Sequence, residues 1–388
     1  MRILFTSIPG AGHFNPTVPL ARALQARGHQ VTYACSPAWT EKVEAAGFRN
    51  IPAGPAWVEN MADPVMREIM AKDFFVELAR MGMVEDVVRA AKSVEAELIA
   101  FEGAEIGGLI AGGILGLPVV MVSPAAGKMW RAYIRQAVAR AAGEHGLDGE
   151  TIAADGHELV YVDRTPPSFE APDFVPYTSL FNTRPELYEQ PAAVPGWFYE
   201  LSRPIIYVTL GSVFNGNVPL FRLVAAALGS APVDVVLATG QGLPAGALGE
   251  LPANVHVGGY LPQSTVIGKA AVVVCHGGYN SMMAAMSNGI PVYCIPMAAD
   301  QPYNAARLLA AGAGLSSSIY SGPPAAGPPP FTPPSPDEVG GAVRQLLEDP
   351  RFRSGAIRVR AEIEALPPVA AAAQQIESRM REASAVRA

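Results

Sequence analysis

Short apolar runs alternate along this chain with longer stretches whose apolar positions recur at helical spacing. The pattern opens with a strand over 2–7, and a loop from Ile8 to Pro16 rich in glycine and proline then leads into a helix over 17–27 that Gly28 ends. Further strands follow over 30–34, 48–51, 97–101 and 118–122, with helices over 38–46 and 105–116 between them. Such alternation predicts right-handed parallel βαβ units. It restarts at Pro204-Ile-Ile-Tyr-Val-Thr-Leu-Gly211 and continues through strands over 234–238, 255–258, 271–275 and 291–295. The expected fold is therefore α/β, with two tandem Rossmann-like, doubly wound parallel-sheet domains facing a cleft. The proline-rich segment 185–204 reads as the linker, and the proline run 321–336 as an extended loop. Helices over 337–347 and 355–385 close the chain.

Length supports two cores, since 388 residues exceed what one hydrophobic core usually serves. Half of the residues are hydrophobic and 16% charged, which suits packed domains rather than disorder. A net charge of −7 without any basic run disfavours nucleic acid as a partner. Cys35, Cys275 and Cys294 sit in or beside apolar runs, as buried free thiols would. The apolar run from Ile106 to Val122 is too short and glycine-broken for a membrane span, and the apolar start reaches Pro9-Gly10 too soon for a signal peptide. The expectation is a cytoplasmic protein without stable membrane insertion; a homodimer is left open.

The chemistry concentrates at His276-Gly-Gly-Tyr-Asn-Ser-Met-Met, between the strand 271–275 and the next helix. Glycines at a helix start expose N–H groups, and the dipole adds positive charge, so the segment suits a diphosphate. Its plainer reading is a strand-to-helix turn with Asn280 or Ser281 as the cap. Tyr260-Leu-Pro-Gln263 precedes it, and Asp300-Gln301 follows at the end of the next strand.

In order and spacing, these three elements resemble glycosyltransferase family 1, of GT-B architecture, and the N-terminal run Gly12-His13-Phe-Asn-Pro16 extends the resemblance over essentially the whole chain. The resemblance implies a bacterial enzyme of natural-product biosynthesis, with an acceptor domain over 1–195, a donor domain over 204–355 and a C-terminal helix over 356–388 that crosses back onto the first. It implies base contacts from Tyr260 and Gln263, diphosphate contacts from His276, Gly278, Asn280 and Ser281, and sugar contacts from Asp300 and Gln301. His13 takes the place of the catalytic base. Where the family has an aspartate to orient that base, this chain has Glu102, with Glu105 as the alternative. Ser212, at the end of the strand that opens the second half, is a phosphate or sugar contact or simply turn chemistry. Trp57, Met61, Met66, Phe74 and Phe75 are either helix core or the lining of an acceptor pocket.

No paired carboxylates or His/Cys cluster with ligand spacing occurs, so no metal and no cofactor is expected. The implied reaction is direct displacement with inversion, from a nucleotide sugar to a hydroxyl of a hydrophobic small molecule. Ala284 stands where the family has a ribose-binding glutamate, which favours a dTDP-sugar, and with it a deoxysugar, over a UDP-sugar. The alternatives are a carbon-linking transferase on a phenol, or a silent homologue that activates another transferase.

Overall fold

The computed structural model describes residues 1–388 except 61–62, 71, 126, 155–156, 172–177, 241–242, 245, 319–330 and 388, and omits the side chains of 127–133, 386 and 387. Its strands form two sheets, each wholly parallel. The first contains β1 (Arg2–Thr6), β2 (Gln30–Cys35), β3 (Arg49–Pro52), β4 (Leu98–Glu102), β5 (Val119–Val122), β6 (Val160–Asp163) and β7 (Leu180–Asn182), in the order β3-β2-β1-β4-β5-β6-β7. The second contains β8 (Ile205–Thr209), β9 (Asp234–Ala238), β10 (Val255–Gly258), β11 (Ala270–Cys275), β12 (Val292–Cys294) and β13 (Gly314–Ser316), in the order β10-β9-β8-β11-β12-β13. β1, β4 and β5 are buried on both faces except at Arg2, which explains why they read as continuous apolar runs. In each sheet the strand order reverses between two central strands, β1 and β4 in one and β8 and β11 in the other. Ligands of such sheets bind beyond the carboxyl ends of the strands at that reversal.

The chain divides into two units, described here separately. The first comprises Met1–Thr165, Glu170–Tyr188 and the residues from Leu366 onward; the second comprises Pro166–Phe169 and Glu189–Ala365. The first core packs Phe5, Phe14, Val18, Tyr33 and Phe48 with Ala372, Ala373 and Ile376 of the last helix, Val369–Arg387. A surface clamp adds to this contact. The Arg27 guanidinium donates to both carboxylate oxygens of Glu377 at 2.7 Å, and His29 Nε2 lies 2.9 Å from the same group. The Arg27 hydrogen bonds hold the Glu377 carboxyl down at about 2, with His29 helping against burial.

Three readings of the sequence change. The first helix begins at Ala11, not 17, and carries Pro16 and Pro19 inside it. Each proline removes one helical hydrogen bond at a cost of about 3 kcal/mol, yet the helix buries Phe14, Val18, Leu20 and Leu24, and that burial outweighs the loss. The stretch 355–385 is two helices, Pro350–Ala365 and Val369–Arg387, because Pro367 and Pro368 interrupt it. Strands β6, β7 and β13, and the helix Gly127–Glu144, went unread. No helix among the described residues is long and apolar enough to cross a membrane.

The packing of the last helix yields a first prediction. Ile376 is fully buried in the first core, so Ile376→Ala should lower the stability of that unit by roughly 2–5 kcal/mol. Urea unfolding should show the loss, while the fluorescence of Trp197, the sole tryptophan of the second unit, reports that unit separately. An unchanged first transition would mean that the helix is not part of the core.

Candidate active site

At the reversal point of the first sheet, β1 leads through Pro9-Gly10 into the helix Ala11–Ala26, and β4 ends on Glu102. His13 therefore stands in the first turn of a helix and not on a loop, which fixes its direction through the helix backbone. Its Nδ1 lies 3.0 Å from Glu102 Oε1, and its Nε2 lies 3.2 Å from Glu59 Oε1. Glu102 is wholly inaccessible to water, and its Oε1 also accepts the Ala104 N–H at 2.9 Å. Glu105 is engaged elsewhere. It caps the helix Ile106–Leu115, accepting the N–H groups of Gly107 and Gly108 at 2.8 and 2.9 Å, and burial pushes its carboxyl up to about 7. Burial alone would lower the His13 imidazole, but the charges of Glu102 and then Glu59 overcome it and hold the ring well above its ordinary value.

The second unit repeats the arrangement with different chemistry. β11 ends on Cys275, and His276-Gly277-Gly278 turns the chain into the helix Tyr279–Ser287. Gly277 has φ +87°, open to glycine but strained for other residues, and a Cβ there would meet Cys294 Sγ at 2.5 Å. The His276 ring lies between two glycines: added Cβ atoms on Gly211 and Gly278 would fall 2.6 and 2.4 Å from it. Burial pushes that imidazole down to about 4, so at neutral pH it is uncharged and offers hydrogen bonds only. Gly278 is the N-cap, in place of Asn280 or Ser281, and no side chain caps this helix. An uncapped helix start is the geometry that receives an anionic group.

Around this turn stand the other residues singled out in the sequence. Gln263 opens the helix Gln263–Ile267, and its Nε2 donates to Ser281 Oγ at 3.2 Å, joining the Tyr-Leu-Pro-Gln element to the glycine turn. Tyr260 is half-buried, with its hydroxyl 3.4 Å from the Gln190 carbonyl. Ser212 is half-buried in the turn after β8. Asn280 is half-buried on the first turn of the helix. Asp300 precedes the helix Gln301–Ala310, and Asn304, one turn on, donates both to Asp300 Oδ2 at 2.8 Å and to the Gly277 carbonyl at 2.9 Å. Gln301 turns back on its own loop, where its Oε1 accepts the N–H groups of Met297 and Ala298 at 2.8 and 3.0 Å. Ala299, between these N–H groups and Asp300, is held at φ +53°, a strained conformation for alanine.

Comparison with known proteins identifies this arrangement. A family described as Erythromycin biosynthesis protein CIII-like, C-terminal domain, matches residues 222–378. The L-demethylnoviosyl transferase of Streptomyces niveus is 31% identical across 81% of this chain and 85% of its own length. The chain belongs to the bacterial natural-product glycosyltransferases. The TDP-daunosamine transferase DnrS of Streptomyces peucetius is 26% identical over 97% of this chain and 96% of its own. The crystal structure of the glycosyltransferase SnogD from Streptomyces nogalater superposes with a TM-score of 0.75 at 26% identity, covering 98% of this chain and 99% of that one. This glycosyltransferase thus has the GT-B fold that the motif order implies, and it is an enzyme that uses a nucleotide sugar.

Two expectations shift within the glycosyltransferase. Ala284, expected to face the ribose, is 1% exposed, and its carbonyl accepts from Asn288. Trp57, Met66 and Phe75 are buried, and Phe74 is half-buried; the rings of Trp57 and Phe74 meet edge-on at 6.5 Å, and those of Phe74 and Phe75 at 5.1 Å. The three rings pack on one another; Met61 lies outside the described residues. Sequence reasoning missed Glu59 and Asn304. Asn304 was accessible to it, being four residues after Asp300 on a helical pattern, whereas Glu59 lies in a loop with no periodic signal.

Asn304 ties the glycine turn to the Asp-Gln helix. Asn304→Ala strands the buried Gly277 carbonyl and removes one hydrogen bond to Asp300, so affinity for a nucleoside diphosphate should fall about tenfold or more. Isothermal titration checks this, and unaltered affinity would make the bridge irrelevant to donor binding.

Proposed function

We propose that this glycosyltransferase moves a sugar from a nucleotide diphosphate donor to a hydroxyl of a hydrophobic natural product, by direct displacement with inversion and without a metal. The observation that carries the reading is the His13 imidazole set 3.0 Å from the water-excluded carboxylate of Glu102, at the reversal point of the first sheet. Neutral His13 takes the proton of the acceptor hydroxyl as its oxygen attacks the anomeric carbon; Glu102 then stabilises the imidazolium. The bond to the diphosphate breaks, and its electron pair leaves with the diphosphate. In the second unit the uncapped helix start at Gly278 answers the charge of the leaving group, as a helix N-terminus does for phosphates. Asp300, with one oxygen on Asn304, is our candidate for the sugar hydroxyls.

We assign a dTDP-sugar, carrying a deoxysugar, as the donor. Two facts support the assignment: a relative matched over nearly its whole length is named for a TDP-sugar, and the helix after the glycine turn, Tyr279–Ser287, carries no carboxylate that could serve a ribose 2′-hydroxyl. An unmet buried hydroxyl costs roughly 1–3 kcal/mol, so dTDP-glucose should be preferred over UDP-glucose by about tenfold to a hundredfold in kcat/KM. Equal use of the two donors would remove the assignment. We propose a polyketide or macrolide-like scaffold as the acceptor, a reading supported by relatives named for aklavinone and demethyllactenocin. The setting we propose is cytoplasmic.

Two measurements test the mechanism. His13→Ala should leave donor binding intact and lower turnover by roughly a hundredfold or more, and turnover near that of wild type would exclude His13 as the base. Because His13 must be neutral to act and is held well above its ordinary value, wild-type kcat/KM should climb with pH through a midpoint above about 6.5. Among the described residues no group of three or more His, Cys, Asp or Glu side chains could hold a metal ion, and transfer should survive excess EDTA. Loss with EDTA and recovery with magnesium or manganese would contradict metal independence.

A further inference from the structure

The geometry points to Glu59 as a positioning residue that seals Nε2 of His13 and gives it up only to the acceptor hydroxyl. This rests on the reading of His13 as the base. Each ring nitrogen of His13 lies beside a carboxylate, and Nε2 is the one a substrate has to reach, because Nδ1 faces the inaccessible Glu102. Glu59 Oε1 makes a hydrogen bond to Nε2 at 3.2 Å. An acceptor hydroxyl and Glu59 therefore compete for the same position, and both cannot hold it.

The placement of Glu59 is built into the chain around it. The Glu59 N–H donates to the Pro9 carbonyl at 2.9 Å, and the Val58 N–H donates to Asp63 Oδ2 at 3.0 Å. These bonds pin the loop beside the first turn of the helix that carries His13. Gly10 is the cradle: a Cβ there would lie 2.0 Å from Glu59 Oε2 and 2.7 Å from Glu59 Cβ. Gly10 has φ −143°, extended backbone open to any residue. Space for the carboxylate is what requires glycine at this position.

The two carboxylates are unequal. Glu102 ends a central strand and is also held by the Ala104 N–H, so it is fixed. Glu59 sits on a loop with its side chain 12% exposed, against 0% for Glu102; the Oε2 of each is buried without a hydrogen-bond partner, but only the side chain of Glu59 has a way to water. Releasing the Glu59 oxygen to water recovers its solvation, which makes Glu59 the partner that yields. The groups facing His13 are Glu59 from the loop and Glu102 from β4. Behind Glu102 lie Glu105 at the start of the helix Ile106–Leu115 and Cys35 at the end of β2, whose thiol burial pushes up.

With Glu59 in place, Nε2 donates its proton to that carboxylate and has no lone pair for an incoming water. As the acceptor enters, the Nε2 proton passes to Glu59, which withdraws as the acid and returns the proton to solvent. The neutral imidazole, still oriented by Glu102, then takes the proton of the acceptor hydroxyl. The seal thereby protects the donor from water until an acceptor is present.

The test compares wild type, Glu59→Gln and Gly10→Ala; the alanine methyl pushes the carboxylate off its seat without touching His13, and it stands in should Glu59→Gln not fold. The first readout is the titration of the His13 ring by NMR in protein without donor, assigned with His13→Ala. Loss of one adjacent anion should lower its midpoint by roughly one pH unit or more. The second readout is release of nucleoside diphosphate from dTDP-glucose and UDP-glucose without acceptor, which should exceed that of wild type in both variants. A merely structural Glu59 would lower stability and leave the midpoint in place. An unchanged midpoint, or a lowered midpoint without added hydrolysis, overturns the proposal. If His13→Ala transfers sugar as wild type does, the reading of His13 as the base fails, while the midpoint still decides whether Glu59 holds Nε2.

Discussion

A carboxylate shut away from water beside an imidazole is the constraint from which the first unit takes its character. Glu102 is inaccessible, one of its oxygens is buried without a hydrogen-bond partner, and the other is shared by His13 and the Ala104 N–H. An isolated charge in such a place would be costly. The His13 imidazole beside it, held against burial well above its ordinary value chiefly by this charge, compensates it at the end of a central strand. The sheet exists to put these two groups together: β1 and β4 are neighbours only because the strand order reverses there.

The second unit solves the opposite problem, how to receive negative charge without offering a formal positive one. His276 is neutral at physiological pH, and the turn around it is made of glycines whose missing side chains leave the backbone exposed. In the proposed reaction, dipoles and N–H groups take the part that a cation plays elsewhere. Rigidity comes from side chains that bond to backbone: Gln301 to Met297 and Ala298, and Asn304 to Gly277. These groups fix the loops on which contact with a ligand depends.

How far this was legible in the sequence follows from the range of each interaction. The central strands and the glycine turn sit at the junction of an apolar run with a polar loop, and a linear reading finds such junctions; His13 beside Glu102 was an expectation from the family resemblance, with Glu105 as the alternative. β7 and β13 escaped because three residues carry too little pattern. The start of the first helix escaped because Gly10, Gly12 and Pro16 argue locally for a loop, while the burial that overrides them involves Tyr33 on the neighbouring strand. Glu59 escaped for a similar reason: its partner is 46 positions away, and nothing in its neighbours shows that Gly10 was kept small to admit it.

The last helix carries a consequence for the order in which the molecule assembles. Ala372, Ala373 and Ile376 complete a core whose other members lie mostly in the first half of the chain. As the polypeptide leaves the ribosome, the first sheet emerges early but lacks this covering until nearly all of the second unit has been made. The second unit requires nothing beyond Ala365. Vectorial synthesis thus lets the later-encoded unit close first, while the unit encoded first waits for the helix Val369–Arg387 with part of its apolar surface uncovered.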